Sequence, residues 1–240
     1  SAVLTGLACL AALVVAAGTM VAAQQAFEVP WNDKIPAGNA ALAARALKES
    51  PRHGEWVDIA LPGGGKLNTF VVYPERKDKA GVVIVIQEVF GLTDWLSGVA
   101  DQLAKEGFIA VAPDMVSGLG PNGGGTDSVA SRDDVVALVR GISPEEATRR
   151  LNAVRDWALK IPAGNGKTAT VGFCWGGGKS FAYAGAQPAL DAAVVFYGST
   201  PPLDELTKVH CPVLGLYGAT DERITSRVPE TVEAMKNAGK

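Results

Sequence analysis

Residues 169–177 have the sequence ATVGFCWGG, and this stretch decides the fold. The apolar residues 169–173 predict a strand, and the small residues of 177–186 predict a helix. Between them lies a Gly-x-nucleophile-x-Gly pattern, whose two glycines let a strand and a helix approach closely. Such a sharp turn would hold Cys174 above the carboxyl edge of a sheet, near a helix N-terminus that favours a thiolate. The alternative is a buried cysteine in a glycine-rich packing turn.

The segments on either side of this stretch alternate between strand and helix patterns. Residues 82–86 form an uninterrupted β-branched run, which is typical of a strand buried on both faces. Two runs joined by Pro-Gly-Gly-Gly predict a hairpin that precedes it. The remaining predictions are hairpin strands at 56–61 and 67–73, and later strands at 108–112, 192–197 and 213–217. We therefore predict an α/β fold with a mostly parallel sheet, helices on both faces and the hairpin at one edge.

Only some of the predicted helices have clear start or end signals in the sequence. The sequence Ser-Pro-Glu-Glu at 143–146 is a strong helix start, and that helix is predicted to run to about residue 160. Shorter helices are predicted at 40–48 and 224–237. Residues 115–142 are expected to form a flexible surface loop, or a lid if they have a function. The five glycines of 118–125 lack the lysine of a phosphate-binding loop, so nucleotide binding is rejected.

The composition is that of a globular protein, with 48% hydrophobic and 20% charged residues. The net charge of -3, without clustered lysine and arginine, excludes a nucleic-acid footprint. We divide the chain into a signal peptide or N-terminal anchor (1–23), an N-terminal extension (24–54) and a domain (55–240).

The first segment has no charged residue from position 2 to 27. A membrane-spanning helix needs roughly 20 apolar residues, so its length permits one. The small residues Val-Ala-Ala at 21–23 fit a signal peptidase site. We expect an exported protein, periplasmic or secreted, after signal cleavage. The alternative is a membrane anchor formed by residues 2–23, and Cys9 inside it is taken as an apolar filler.

The other two cysteines are not expected to form a disulfide. Cys174 follows the end of one predicted strand and Cys211 opens another, so in a parallel sheet they lie roughly 17–20 Å apart. A disulfide needs Cα atoms within about 7 Å. Cys211 is expected to be a small buried core residue.

Two carboxylates follow predicted strands at the same edge of the sheet. Glu88 comes directly after the run 82–86, where open α/β folds place their sites. Asp221 follows the strand 213–217 and fits the chain order nucleophile, acid, histidine. The alternatives are a solvated loop acid for Glu88 and a turn or N-cap residue for Asp221.

Together these motifs resemble the dienelactone hydrolase family. The matching segments are Gln87-Glu88-Val89-Phe90-Gly91, Ala112-Pro113-Asp114, Gly172-Phe173-Cys174-Trp175-Gly176-Gly177, Phe196-Tyr197-Gly198 and Gly218-Ala219-Thr220-Asp221. The resemblance implies an α/β-hydrolase fold over residues 55–240, with Cys174 as nucleophile and Asp221 as triad acid. It implies that Glu88 contacts the thiol in the resting state, and that the N–H groups of Val89 and Trp175 form the oxyanion hole.

The sequence departs from the family in its histidines and arginines. Its two histidines, His53 and His210, precede Asp221, so neither fits the position of the catalytic base. We expect both to be surface or strand-end residues, and we expect a fragment that lacks the last strand, the last helix and the histidine. The family often has arginines that bind the substrate carboxylate, and Arg132 could serve, although it cannot be aligned with them.

These observations predict a carboxylic ester hydrolase acting on an ester or lactone through a thioester on Cys174. The alternative is a non-catalytic domain of the same fold that binds a small ligand or a partner. A redox role for Cys174 is weaker because there is no Cys-x-x-Cys pair. We expect a small-molecule substrate, no metal, no cofactor and a monomer, with membrane contact only through an N-terminal anchor.

Overall fold

The computed structural model describes residues 39–240, and its central element is a sheet of seven strands. In chain order the strands are β1 (Gly54–Ala60), β2 (Lys66–Val72), β3 (Ala80–Ile86), β4 (Ile109–Pro113), β5 (Gly164–Phe173), β6 (Ala192–Phe196) and β7 (Val213–Leu216). Side by side their order is β1-β2-β4-β3-β5-β6-β7. The hairpin β1–β2 lies at one edge and joins the sheet through antiparallel pairing of β2 with β4. The other pairs are parallel, so the predicted architecture is confirmed.

The continuous apolar run of β3 is explained by burial on both faces of the sheet. Val82, Ile84 and Ile86 belong to one core cluster, and Val83 and Val85 belong to another on the opposite side. Because side chains alternate along a strand, helices must cover both faces. The helices, in chain order, are α1 (Ala40–Glu49), α2 (Asp94–Lys105), α3 (Arg132–Gly141), α4 (Pro144–Ala158), α5 (Trp175–Ala186), α6 (Glu222–Thr225) and α7 (Val228–Asn237).

Helices α4 and α5 pack on one face, and α2 packs on the other. The predicted start of α4 is confirmed, since the Ser143 side chain accepts a hydrogen bond from the Glu146 N–H. The prediction of one helix over 224–237 is wrong. The helix breaks at Ser226 and Arg227, and a new helix begins at Val228 with Pro229 in its first turn, where the missing N–H costs nothing.

The expectation of a flexible loop over 115–142 is wrong for its last third, which forms α3. The Ser131 side chain accepts a hydrogen bond from the Asp134 N–H at its start. Val135 and Val139 are buried against Val116. A capping serine followed by apolar residues four apart predicts a helix, so the sequence did contain the information.

The beginning of the same segment is fixed by one buried carboxylate. Asp114 accepts hydrogen bonds from the N–H of Val116, the N–H of Thr126 and the hydroxyl of Thr126, at 2.7–2.9 Å. The Thr126 hydroxyl oxygen in turn accepts from the Leu92 N–H. Residues 114–126 therefore form a closed loop that is attached to the segment following β3.

Within residues 39–240, no helix is both long enough and apolar enough to cross a membrane. The predicted signal peptide, the anchor alternative and Cys9 lie outside the described residues. The extension predicted at 24–54 is described from Asn39 onward, and its end is attached to the domain. Asp101 of α2 accepts hydrogen bonds from the guanidinium of Arg52 and from the hydroxyl of Ser50.

Candidate active site

Cys174 occupies the sharp turn that its sequence pattern predicts. It separates the last residue of β5 from the first residue of α5, and its backbone has φ 54° and ψ -115°. A positive φ is unusual for a residue with a side chain, and the cost of such a conformation is of order 1–3 kcal/mol. The turn is held by hydrogen bonds from the Cys174 N–H to the Phe196 carbonyl, at 3.0 Å, and from the Gly178 N–H to the Cys174 carbonyl, at 3.2 Å.

The two glycines of the pattern are required by close backbone packing. A Cβ on Gly172 would overlap the carbonyl group of Gly176. A Cβ on Gly176 would overlap the carbonyl oxygens of Ile86 and Gln87, at the end of β3. The first turn of α5 is thus pressed against the neighbouring strand, and this contact fixes the position of the cysteine between them.

The two cysteines in the described residues are free, as expected. Cys174 is partly exposed at the carboxyl edge of the sheet, whereas Cys211 is 8% exposed and belongs to the core. Burial raises the pKa of the Cys211 thiol, which makes it a poor nucleophile at neutral pH. Cys174, by contrast, lies at the start of a helix of 12 residues.

Strand register brings Glu88 and Tyr197 beside Cys174. Ile86 pairs with Gly172 in the β3–β5 ladder, and Phe173 pairs with Phe196 in the β5–β6 ladder. Glu88 lies two residues after Ile86, and Tyr197 lies one residue after Phe196. Both therefore lie just beyond the sheet, at the level of Cys174. The prediction that Glu88 lies at this edge is therefore confirmed by the register of the strands.

Glu88 lines a cleft of about 730 Å³ together with Phe90, Thr126, Arg132 and Tyr197. The carboxylate is half-buried, and burial raises its pKa while the positive charge of Arg132 opposes the increase. The Arg132 guanidinium lies 3.5 Å from the centroid of the Phe90 ring. A carboxylate, a cation and an aromatic ring thus face one solvent-accessible space.

Tyr197 was given no role by the sequence argument, although it lies in one of the matching segments. Its backbone also has a positive φ, 41°. Burial raises the pKa of its phenol, and the negative charges of Glu88 and Cys174 add to that effect. The strand register places all three residues at the same level of the sheet edge. Its place immediately after a strand, in register with the nucleophile, is the feature that could have identified Tyr197 as a site residue.

Gln87 is a buried residue that packs against the cysteine turn. Its side chain is fully buried, and its Oε1 accepts a hydrogen bond from the Met115 N–H at 3.0 Å. Its carbonyl oxygen lies against Gly176. Its Nε2 has no hydrogen-bond partner among the described residues. Gln87 therefore positions its neighbour Glu88 and is too enclosed to act itself.

Asp221 lies where it was expected, in the loop that follows β7 at the same edge of the sheet. It is partly exposed, and its carboxylate is 3.6 Å from the guanidinium of Arg223. No hydrogen bond within residues 39–240 joins its carboxylate to the Cys174 region. The proposed separation of roughly 6–9 Å between the Cys174 sulfur and this carboxylate stays a prediction.

The two histidines of the sequence lie away from Cys174. His53 is exposed beside β1, with its ring stacked on Tyr73 at 5.7 Å, and the β1–β2 hairpin is at the far edge of the sheet. His210 is exposed before β7, at the end of that strand opposite to Asp221. Both are surface residues, as expected.

The groups assigned to an oxyanion hole occupy fitting positions. Trp175 is the first residue of α5, and a helix leaves its first four N–H groups without intrahelical acceptors. Val89 lies in the turn directly after Glu88. The role of both N–H groups in an oxyanion hole stays a prediction.

Residues 67–240 match the model of the dienelactone hydrolase family. The chain belongs to this family. A relative in Salmonella typhimurium, described as "Putative carboxymethylenebutenolidase", is 34% identical over an alignment of 187 positions that covers 73% of this chain and 67% of the relative. The chain thus matches about two thirds of the length of that relative.

Solved structures show the same fold for this family member. A Klebsiella pneumoniae protein described as a putative dienelactone hydrolase superposes with a TM-score of 0.66 at 28% identity, covering 78% of this chain and 82% of that one. A dienelactone hydrolase-like promiscuous phosphotriesterase from metagenomic libraries gives a TM-score of 0.65 at 25% identity, covering 77% and 78%. The fold is that of the α/β-hydrolases, as predicted.

Proposed function

We propose that the chain is the catalytic domain of a carboxylic ester hydrolase whose nucleophile is Cys174 and whose substrate is an ester or lactone. The observation that carries the proposal is the strained turn at Cys174, placed level with Glu88 and Tyr197 at the carboxyl edge of the sheet. Strained backbone conformations that are held in place by the surrounding packing are found mostly at functional sites. A structural cysteine would need neither a positive φ nor an adjacent half-buried carboxylate.

The proposed reaction has two steps. The Cys174 thiolate attacks the carbonyl carbon, a C–S bond forms, the ester C–O bond breaks and the alkoxide leaves with a proton. Water then attacks the thioester carbon, which forms the acid and returns the thiol. Glu88 accepts the thiol proton in the first step, and the N–H groups of Val89 and Trp175 stabilise the oxyanion. Asp221 would orient an imidazole, which this sequence does not place at the site.

The test is a burst experiment with p-nitrophenyl acetate, whose leaving group needs no proton. The chain should release one p-nitrophenolate per Cys174 and then turn over slowly, because no imidazole assists hydrolysis of the thioester. Cys174→Ala should abolish the burst, and the matched control Cys211→Ala should retain it. Added free imidazole should speed the slow phase. A burst of equal size in Cys174→Ala would place the nucleophile elsewhere.

The same burst experiment distinguishes this proposal from the second candidate function, which is a non-catalytic domain that binds a ligand or partner. The observation that favours this candidate is the distance of both histidines from the cysteine turn, at the first edge strand and before β7. If the folded, unmodified chain gives no burst with activated esters, binding becomes the better proposal.

For the substrate class, we propose esters that carry a carboxylate of their own. Arg132 lies over Phe90 at the cleft, and within residues 39–240 its guanidinium makes no hydrogen bond, so its donors are available to an anion. Arg132→Met should slow acylation by the p-nitrophenyl monoester of glutarate about tenfold and leave p-nitrophenyl butyrate unaffected. Arg140→Met, at the other end of α3, is the matched control. An equal effect on both esters would remove Arg132 from substrate binding.

For localisation, we propose export with cleavage after Ala23, in keeping with the small residues at 21–23 and the uncharged run before them. N-terminal sequencing of the protein isolated from its native cells should begin at Gln24. An intact first segment in the membrane fraction would favour the anchor instead.

A further inference from the structure

A second groove lies on the opposite side of α5 from β3, between α4, α5 and residues 199–205. Its volume is about 950 Å³, within the range of small-molecule pockets, and it shares none of the residues that line the cleft at Glu88. Residues of α5 spaced three and four apart form one of its walls: Trp175, Gly178, Lys179, Ala182, Gly185 and Ala186. The groove is mostly apolar along its length, through Phe181, Pro201, Pro202 and Val209.

Lys179 is the unusual charged residue of this groove. Its side chain is partly buried, and its Nζ lies 5.2 Å from the centroid of the Trp175 ring. Within residues 39–240 it makes no hydrogen bond and no ion pair. Burial lowers the pKa of its ammonium, while Glu145 opposes this change. Glu145 lines the same groove, and hydrogen bonding at the start of α4 lowers the pKa of its carboxyl. An ammonium that has lost part of its hydration without gaining an acceptor is prepared to bind an anion.

Thr200 provides a second unsatisfied group in the same groove. The residue is 8% exposed, and its Oγ1 is buried without a hydrogen-bond partner in the described part of the chain. Buried hydroxyl groups are nearly always paired, so an unpaired one that lines a cavity indicates a missing partner. Two other charged groups of the groove are paired, Arg149 with Glu146 and Glu205 with Lys208.

We propose that this groove is a binding site for small amphipathic carboxylates. The ligand carboxylate would contact the Lys179 ammonium and the Thr200 hydroxyl, and its hydrocarbon part would lie along Phe181 and Ala182. The apolar lining argues against a bare inorganic anion, and the unpaired cation argues against a neutral hydrocarbon. The groove adjoins the proposed catalytic turn at Trp175, but the Lys179 and Thr200 side chains that would bind the ligand have no part in the proposed hydrolysis.

Isothermal titration of the chain with hexanoate and with hexanamide tests the proposal. The two probes have nearly the same shape, and only hexanoate carries the charge. Hexanoate should bind saturably, and hexanamide should bind at least about tenfold more weakly. This comparison uses the unmodified chain, so it does not depend on any variant folding.

Variants then locate the binding site. Lys179→Met keeps the stem over Trp175 and should weaken hexanoate binding about tenfold, and Thr200→Val should weaken it about threefold. Lys160→Met, at an exposed lysine just beyond α4, should have no effect. Equal binding of the two probes, or unchanged binding in Lys179→Met, would overturn the proposal. So would a stable dimer in which the groove is buried, seen by sedimentation.

Discussion

The centre of the sheet and its β7 edge hold their candidate catalytic residues in different ways. Cys174 and Glu88 follow β5 and β3, which are enclosed by neighbours on both sides and packed so closely that only glycine fits at position 176. Asp221 follows β7, where Leu214 is 57% exposed and Leu216 is 39% exposed. Central strands therefore position the nucleophile through backbone packing, whereas the acid lies in a loop after the last strand of the described sheet.

The largest expected effect comes from breaking the packing at the centre. Gly176→Ala places a Cβ onto the carbonyl oxygens of Ile86 and Gln87, so α5 must move away from β3. We expect loss of the burst and a fall of about 3 kcal/mol in the free energy of unfolding, measured with urea. Gly141→Ala, at a helical glycine whose Cβ would meet nothing within 4 Å, is the matched control and should be neutral or slightly stabilising. If Gly176→Ala were as stable and active as this control, the central packing would not position Cys174.

A smaller effect is expected when Glu88 is neutralised without moving it. Glu88→Gln should slow acylation about 100-fold at neutral pH, because the base for the thiol proton is lost. Burial raises the pKa of Glu88, so acylation by the unmodified chain should rise as the pH increases through that raised value, above the ordinary 4.5. The variant should lack this rise. Stopped-flow acylation between pH 4 and pH 8 measures both, and a rise retained in the variant would assign it to another group.

The same raised pKa has an opposite consequence for stability. A carboxyl group whose pKa is higher in the folded state binds more protons there, so stability falls as the pH rises from the unfolded pKa to the folded one. Glu88→Gln should therefore resist urea slightly better than the unmodified chain at pH 7, and this advantage should vanish near pH 4. A variant that is less stable at pH 7 would show that the carboxylate has a stabilising partner.

The smallest effect is expected at the β7 edge. Asp221→Asn should change the burst rate by less than about twofold, because no imidazole of this chain depends on that carboxylate. It should, however, reduce the acceleration by added imidazole. A large loss of the burst in Asp221→Asn would mean that the edge loop contributes directly to the Cys174 site, and the contrast between centre and edge would fail.

The sequence predicted those parts of the molecule that depend on local patterns. Residues 82–86 are apolar on both faces because both faces are buried, so their run marked a central strand. The cysteine turn was recognisable because its two glycines and the cysteine lie within one five-residue pattern. The position of Tyr197 was not, since it depends on the pairing of Phe173 with Phe196 across strands far apart in sequence. The helix α3 was missed because surrounding glycines and prolines outweighed its cap at Ser131.

The closed loop at Asp114 has a consequence for how relatives of this chain can diverge. A Cβ on Gly125 would overlap the Asp114 carboxylate, whereas a Cβ on Gly118 or Gly123 would meet nothing within 4 Å. Changes of length should therefore accumulate in the middle of the loop, while its two ends stay fixed by one carboxylate. Since Thr126 also lines the cleft, the fixed end of the loop holds the rim next to Glu88 in place while the middle of the loop changes.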